Sequence, residues 1–311
     1  MISLNIQDYY ENFPSVVSVG TFDGIHLGHQ KLINKVLNIS KSKNLKSIVL
    51  TFNPHPRAVL NNENAIKLLT TQEEKNKIFR SYQIDYLITQ DFSKSFSKLS
   101  PMEFIRDILI KKLNVKHVVI GYDHHFGNNR NANSDHLSDF AKDFGFDVSK
   151  VEAYNKNTVS ISSTKIRNLI LKGKINEAND LLGYQFILTG KVVNGLGRGK
   201  NLGFPTANIL IDTQKIKPGN GVYLISSIIN ERNVYGMMNV GYNPTFIDKG
   251  YSIEIHFLEF NQDLYEKKIS ISLMKKVREE KKFDSAHHLA LQLEEDKKKC
   301  FELITNLKKT I

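Results

Sequence analysis

The sequence is short of cysteine. Its one thiol, Cys300, cannot close an internal disulfide, and no cluster of cysteine and histidine has the spacing of zinc ligands. Neither a disulfide framework nor a structural zinc site is expected, and Cys300 reads as a small apolar filler or an inert surface thiol. Long hydrophobic runs are missing as well: no stretch approaches the roughly 18 apolar residues that span a bilayer, so no membrane partner is expected. The amino terminus, MISLNIQDYYENFP, carries acidic residues and lacks a basic start followed by an apolar stretch. It does not read as a secretory signal, and the expected location is cytoplasmic. Acidic residues are the minority charge, 32 against 43 lysines and arginines, for a formal net charge of +11. That balance suits a protein that handles polyanions, whether nucleotides, phosphate esters or nucleic acid, and equally an ordinary lysine-rich solvated surface.

What is present is an average globular composition, 41% hydrophobic and 24% charged, which excludes disorder and collagen-like repeats. A length of 311 residues favours two domains. The hydrophobic period changes part-way along. The first half alternates short β-branched segments (15–20, 47–52, 85–89, 117–122 and 147–154) with helical patterns, one over about 29–42 and others behind capping boxes at Thr70-Thr-Gln-Glu73 and Ser100-Pro-Met-Glu103. Strands alternating with helices imply crossover units and a parallel sheet, with ligands at the carboxyl ends of its strands. After about Gly183 the segments 185–193, 221–229, 234–240, 252–260 and 268–273 alternate as strands separated by Gly- and Asn-containing turns, which predicts an antiparallel barrel. A last helix starts near Asp284 and runs towards Leu307. The expected domains are 1–183 and 184–311.

The strongest local signal follows the first predicted strand of the α/β half: Gly20-Thr-Phe22-Asp23-Gly24-Ile-His26-Leu-Gly28-His29, leading straight into a helix. Glycines let backbone approach a phosphate, a helix N-terminus adds positive potential, and two histidines three apart can both face that phosphate. Neither the P-loop nor the dinucleotide glycine spacing is matched. The pattern points to imidazoles stabilising charge on a nucleotide phosphate under attack. A second segment, Ser163-Thr164-Lys-Ile-Arg167, sets hydroxyls and free N–H groups at a helix start with an arginine one turn on, a fit for a departing diphosphate and also the form of an ordinary capped helix.

The first segment resembles the HxGH-type motif of nucleotidyltransferases, and the second the Ser-Thr-x-x-Arg element of that superfamily. In the barrel half, the run from Gly195 through Arg198, Gly199, Gly203, Pro205 and Thr206 to Asn208 is similar to the riboflavin kinase signature. Together with Thr51-Phe52-Asn53-Pro54-His55-Pro56-Arg57, Gly121-Tyr-Asp123, Gly221-Val-Tyr223, the 239–245 segment, Glu254-Ile-His256 and the 278–283 segment, the order of motifs resembles the bifunctional riboflavin kinase/FAD synthetase family over nearly the whole chain.

That resemblance implies an α/β nucleotidyltransferase domain, Rossmann-like with a parallel sheet, followed by an antiparallel β-barrel riboflavin kinase domain with a C-terminal helix. It implies ATP as co-substrate, riboflavin, FMN and FAD as substrates and products, and Mg2+ as cofactor. His26 and His29 would act at the ATP phosphates, with Gly20, Phe22, Asp23, Gly24, Gly28, Ser163, Thr164 and Arg167 around the nucleotide. Phe52, Asn53, Pro54, His55 and Pro56 would line the flavin side, with Asp123 near a phosphate and Arg278 on the flavin of the barrel domain. Gly199, Gly203, Thr206 and Asn208 would contact the second ATP, Thr206 and Asn208 would hold Mg2+ through oxygen, and Glu254 would take the ribityl hydroxyl proton. His125 stands where the family often has a basic residue. The adjacent pairs His124-His125 and His287-His288 point apart and do not make a metal site. The expected partners are small molecules, without nucleic acid, on a monomer or weak homo-oligomer. Two other readings are a transferase of the same fold with another phosphorylated acceptor, which the kinase signature disfavours, and a nucleic-acid-binding protein, for which only the net charge speaks.

Overall fold

A strand that hydrophobic periodicity does not announce opens the chain: Ile2–Asn5 (β1) lies beside Tyr86–Asp91, in parallel register from Ile2 opposite Tyr86 to Asn5 opposite Thr89. The computed structural model describes residues 1–60, 66–122, 134–152, 155–156, 159–195, 198–242 and 251–308. They form two compact units, Met1–Ser163 and Thr164–Ile311.

In the first unit β1 is followed by β2 (Ser15–Val19), α1 (Leu27–Lys43), β3 (Lys46–Asn53), α2 (Pro56–Leu60), α3 (Gln72–Tyr82) and β4 (Tyr86–Asp91). Then come α4 (Pro101–Glu103), which continues as a π-helical stretch Phe104–Lys112, β5 (Val115–Gly121), α5 (Ser134–Phe144) and β6 (Asp147–Val151). A small antiparallel ribbon of β7 (Asn155–Lys156) and β8 (Val159–Ser160) follows. The six larger strands form one parallel sheet in the order β1-β4-β3-β2-β5-β6. Buried on both faces, its strands carry continuous apolar runs: Val17, Ile48, Leu50, Ile88 and Val118 pack towards Phe104, Leu109 and Leu137, whereas Val49 and Leu87 pack with Ile33 and Phe79. From β2 the chain winds outward through β3 and β4, then crosses to the other side of β2 for β5 and β6. The order of winding therefore reverses between β2 and β5, and an open α/β sheet binds its ligand in the crevice at that reversal, outside the carboxyl ends.

The second unit takes in nearly all of α6 (Ser163–Leu171), then α7 (Ile175–Leu182), β9 (Phe186–Val193), α8 (Arg198–Asn201), β10 (Ala207–Ile211), β11 (Gly221–Ile229), β12 (Arg232–Tyr242), β13 (Tyr251–Phe257), β14 (Lys268–Arg278) and α9 (Ala286–Lys308). Its six strands close into an antiparallel barrel, β10-β13-β12-β11-β14-β9. The α7 helix packs on it: Asn179 donates to the Leu273 carbonyl and accepts from the Phe186 N–H. Helix α9 lays Cys300, Phe301 and Ile304 against Val222, Leu224, Met237 and Val277. Cys300 is fully buried and its thiol is pushed up to about 12, so of the two readings it is the apolar filler.

At the end of β14, Arg278 donates through Nε to both carboxylate oxygens of Asp296 on α9, at 2.8 and 2.9 Å, and Asp296 is 2% exposed. Removing one member of such a pair strands the other charge away from water. Asp296→Ala is expected to cost about 3–5 kcal/mol, read as a lower thermal midpoint of the intact chain; an unchanged midpoint would mean that water already satisfies Arg278.

Four expected details shift. The capping box of α3 is Thr71 with Glu74, one residue beyond Thr70-Glu73, because Thr70 is turned to the 20–29 loop and unavailable as a cap. The cap of α9 is Ser285, whose hydroxyl accepts from the His288 N–H, and not Asp284. The segment Ala207–Ile211, within a stretch read only as a motif, is itself a barrel strand. The strand expected over 147–154 ends at Val151, and Tyr154 lies outside the described residues.

Candidate active sites

Strand β2 delivers the chain into a loop whose backbone is held in conformations that side chains resist. Phe22, Gly24 and Ile25 all have positive φ, 47°, 83° and 36°, and Ile25 is β-branched. The loop keeps this shape because its polar groups are tied down. The buried Asp23 carboxylate accepts from the N–H groups of Leu69 and Thr70 at 2.9 and 3.0 Å, and the Gly24 N–H donates to Thr70 Oγ1 at 3.1 Å. Asp23 and Gly24, expected among the nucleotide contacts, thus have these groups engaged in shaping the loop. The Ser163 hydroxyl donates to the Asp23 carbonyl of the same loop at 2.9 Å.

His26 is the N-cap of α1. Its Nδ1 accepts from the His29 backbone N–H at 3.4 Å, so neutral His26 carries its proton on Nε2. A Cβ on Gly28 would press the His26 ring at 3.2 Å, so any other residue there needs the imidazole to give by a few tenths of an ångström. The two imidazoles stack, centroids 3.7 Å apart, and Phe22 meets His29 edge-on at 5.2 Å. Burial, then His26 and Lys75, hold the His29 pKa well below its ordinary value, so the ring is neutral at pH 7. Its Nδ1 is buried without a hydrogen-bond partner among the described residues. Beneath the loop, buried Lys75 of α3 donates to the Thr21 carbonyl at 2.8 Å and to Thr51 Oγ1 at 3.1 Å.

The next strand ends beside this loop. Phe52 and Asn53 close β3, Asn53–Pro54 is a cis peptide, and His55 and Pro56 lead into α2. The Asn53 carbonyl accepts from the Phe92 N–H at 3.0 Å, which brings the end of β4 alongside. Phe52, Phe92 and Phe96 pack ring against ring at 5.6–6.0 Å, an aromatic wall at the carboxyl edge of the sheet.

The barrel has a second polar cluster. Ile253 and Ile255 are buried, so Glu254 between them takes the opposite face of β13, in register with Asn208 of β10 on one side and Asn239 of β12 on the other. Side chains at such opposed positions are neighbours, Cβ to Cβ about 5 Å. A Cβ on Gly195 would overlap the Asn208 amide, so only glycine lets that loop lie over Asn208. Thr206, Asn208, Gly195 and Lys200 line a cleft of about 410 Å³. His256, two residues on from Glu254, bonds the Pro205 carbonyl through Nδ1 at 2.9 Å and meets Phe204 edge-on, anchoring the 198–206 segment to β13.

Two family models match consecutive stretches of the chain: FAD synthetase over residues 9–165 and riboflavin kinase over 182–304. The bifunctional riboflavin kinase/FMN adenylyltransferase of Buchnera aphidicola subsp. Schizaphis graminum is 42% identical over 94% of this chain and 96% of its own length. The enzyme of the same description from Listeria monocytogenes is 38% identical over 93% and 92%. The chain belongs to the bifunctional riboflavin kinase/FMN adenylyltransferase family. A solved structure from Streptococcus pneumoniae, described as a macrolide-efflux protein, is 32% identical and superposes with a TM-score of 0.87 over 96% of this chain and 97% of that one.

For a riboflavin kinase/FMN adenylyltransferase the expected residues fall into two sets. Gly20, Phe22, His26, Gly28, His29 and Ser163 gather with Phe52–Pro56 at one edge of the parallel sheet, and Gly199, Gly203, Thr206, Asn208 and Glu254 belong to the barrel. Thr164 and Arg167 lie on α6, Thr164 exposed and Arg167 buried. Asp123, His124, His125 and residues 243–245 lie outside the described residues. Arg278 has its guanidinium paired with Asp296. Sequence reasoning passed over Lys75, which reads as one more surface lysine in Glu-Glu-Lys-Asn-Lys; its only signal is a place on the Phe79 face of α3. Asn239 was quoted inside a motif and given no role, although its register makes it the neighbour of Glu254.

Proposed function

We propose that the two activities run on these two clusters separately. The chain phosphorylates riboflavin with ATP to FMN, and adenylylates FMN with ATP to FAD, releasing pyrophosphate. What carries the division is that the two family models match consecutive stretches, each with its own unit and its own group of convergent polar side chains. We take 1–183 as the adenylyltransferase part and 184–311 as the kinase part. Gly183 ends α7 in a left-handed conformation, and β9 starts three residues later.

In the kinase part the riboflavin 5′-hydroxyl oxygen attacks the γ-phosphorus of ATP, the bond to the bridging oxygen breaks, ADP leaves, and Glu254 accepts the hydroxyl proton. Asn208 and Asn239 flank that carboxylate and orient it. The donors beside the cleft are a threonine hydroxyl and a buried asparagine amide, hard oxygens that fit Mg2+, and no group of three or more His, Cys, Asp and Glu among the described residues forms a cage that would favour another metal. Thr206 and Asn208 would hold the ion, which when bound spreads the charge of the transferred phosphoryl group. Gly199, Gly203 and Lys200 keep the flap over the triphosphate, and Arg278 orders the flavin side through its tie to α9.

In the adenylyltransferase part an FMN phosphate oxygen attacks the α-phosphorus of a second ATP, and the bond to the β-phosphate breaks. The nucleophile is already an anion, so no general base is needed and rate comes from orientation and electrostatics. His26 donates from Nε2, His29 from a neutral ring, and the N-terminus of α1 adds positive potential. Ser163, Thr164 and Arg167 meet the departing diphosphate. The Phe52 wall, with Asn53, Pro54, His55 and Pro56, takes the isoalloxazine ring, and Asp123 serves a nucleotide or flavin phosphate. The partners are small molecules, without nucleic acid, on a monomer or weak homo-oligomer in the cytoplasm; no helix among the described residues is long and apolar enough to cross a membrane.

The test is a time course with riboflavin, ATP and magnesium, resolved into riboflavin, FMN and FAD. FMN should rise first and FAD follow. FAD formed only from added FMN would overturn the roles of Thr206, Asn208 and Glu254, and FMN accumulating without FAD would overturn those of His26 and His29.

A further inference from the structure

Residues 69–79 grip the histidine loop at every turn. The N–H groups of Leu69 and Thr70 hold the Asp23 carboxylate, the Thr70 hydroxyl receives the Gly24 N–H, Lys75 Nζ reaches the Thr21 carbonyl, and Phe79 meets Phe22 edge-on at 5.7 Å. These contacts bracket the backbone at Phe22, Gly24 and Ile25 that no isolated loop would hold. One member is out of place by ordinary rules: Lys75 is 6% exposed, and among the described residues no carboxylate lies within ion-pair distance of it. A lysine buried that way costs free energy, and an apolar side chain would pack under the loop without that cost.

We propose that Lys75 is a positioning residue for adenylyl transfer, its ammonium fixing the Thr21 carbonyl and the Thr51 hydroxyl so that the loop carries His26 and His29 in working order and the nucleotide phosphates sit above a buried positive charge. The geometry is a closed triangle. Thr51 Oγ1 donates to the Thr21 carbonyl at 3.2 Å, and Lys75 donates to both of its corners, so β3, the exit of β2 and α3 are tied at one point. Thr21 directly precedes the strained residues, and a shift of its carbonyl moves Phe22 and the His29 ring that Phe22 packs against. Among the described residues, the charged and titratable groups around Lys75 are Asp23 on the loop, His26 and His29 at the start of α1, and Glu74 beside it on α3; from β3 the Thr51 hydroxyl faces it. Burial brings the Lys75 pKa down to about 8, against the pull of Asp23, so the cation is present at pH 7 and lost as pH rises past 8.

This inference rests on adenylyl transfer taking place at the histidine loop, and the kinase activity of the same chain reports whether a variant has folded. FAD formation from supplied FMN and ATP is measured against pH for the unmodified chain, Lys75→Met and Lys75→Gln, with FMN formation from riboflavin followed in parallel. The unmodified chain should lose FAD formation along an alkaline limb near pH 8 that FMN formation lacks. Lys75→Met should lower kcat for FAD formation by about 10²-fold, the scale of a 1 Å misplacement at a reacting centre, with KM for ATP moving far less and FMN formation unchanged. Lys75→Gln, which keeps N–H donors without the charge, should recover part of kcat and show no limb. Full FAD formation in Lys75→Met, or a limb that persists in Lys75→Gln, would overturn the proposal. If Lys75→Met also lost the kinase, the comparison of Lys75→Gln with the unmodified chain would decide. An unmodified chain that made FMN but no FAD would overturn the underlying assignment of the loop.

Discussion

His29→Ala is expected to remove FAD formation by about 10²- to 10³-fold while FMN formation continues at its original rate, the scale on which losing one preorganised donor to a developing charge is felt. The site explains why His29 gives a cleaner measurement than His26. The His26 ring caps α1, and its removal mixes catalysis with a capping loss of about 1 kcal/mol. The His29 ring caps nothing, and its buried Nδ1 has no partner among the described residues. Its protonation state is set as well. Because burial and the neighbouring His26 and Lys75 lower its pKa well below the ordinary 6.5, the protonated form stays the minority at pH 6.5. The kcat/KM for FAD formation should therefore show no acid limb at 6.5 from this group. A limb there that disappeared in the alanine variant would mean that the imidazolium is the working form. Loss of both activities in a folded variant would mean that the two reactions share a site.

Glu254→Gln should do the reverse. FMN formation is expected to fall by roughly 10²- to 10⁴-fold, the range for removing a general base, and FAD formation from added FMN to stay as it was. The substitution is nearly isosteric, and Glu254 lies in register between Asn208 and Asn239, whose amides can hydrogen-bond glutamine as well as glutamate. Packing is kept and only the proton acceptor is lost. If kcat for FMN formation were unchanged, the ribityl proton would leave by another route, and Glu254 would be a strand residue held by its neighbours.

How much of this was legible depended on whether a residue's role is local. The parallel strands were readable because sheets buried on both faces carry unbroken apolar runs such as Val16-Val17 and Ile48-Val49-Leu50. The histidine loop was readable because glycines, imidazoles and a helix start follow one another within ten residues. Strand β1 was not, since Ile2–Asn5 alternates weakly and owes its conformation to Tyr86–Asp91, far along the chain. Strand β10 was hidden inside a motif: Asn208 interrupts its apolar run, and it belongs to the face that carries Glu254. Asp23 shows the same limit. Its carboxylate accepts from the N–H groups of Leu69 and Thr70, which arrive from another part of the chain, and no local pattern announces that bond. Lys75 offers the clearest case, because only burial distinguishes it from the lysines around it.

The pairing of β1 with β4 also sets an order of assembly. During synthesis Ile2–Asn5 is made long before the strand that receives it, since β1 sits at the sheet edge and pairs with β4 alone in the sheet. While β2, α1 and β3 are being made, Ile2–Asn5 has no template, and the loop it must close costs entropy that only β4 can offset. Of the strands β1 to β4, β1 is thus made before the others and placed last, and until then the growing edge of the sheet is the open flank of β3 and then of β4. A nascent chain stalled just after Tyr82 would present that flank uncovered, a stage at which a chaperone has something to hold.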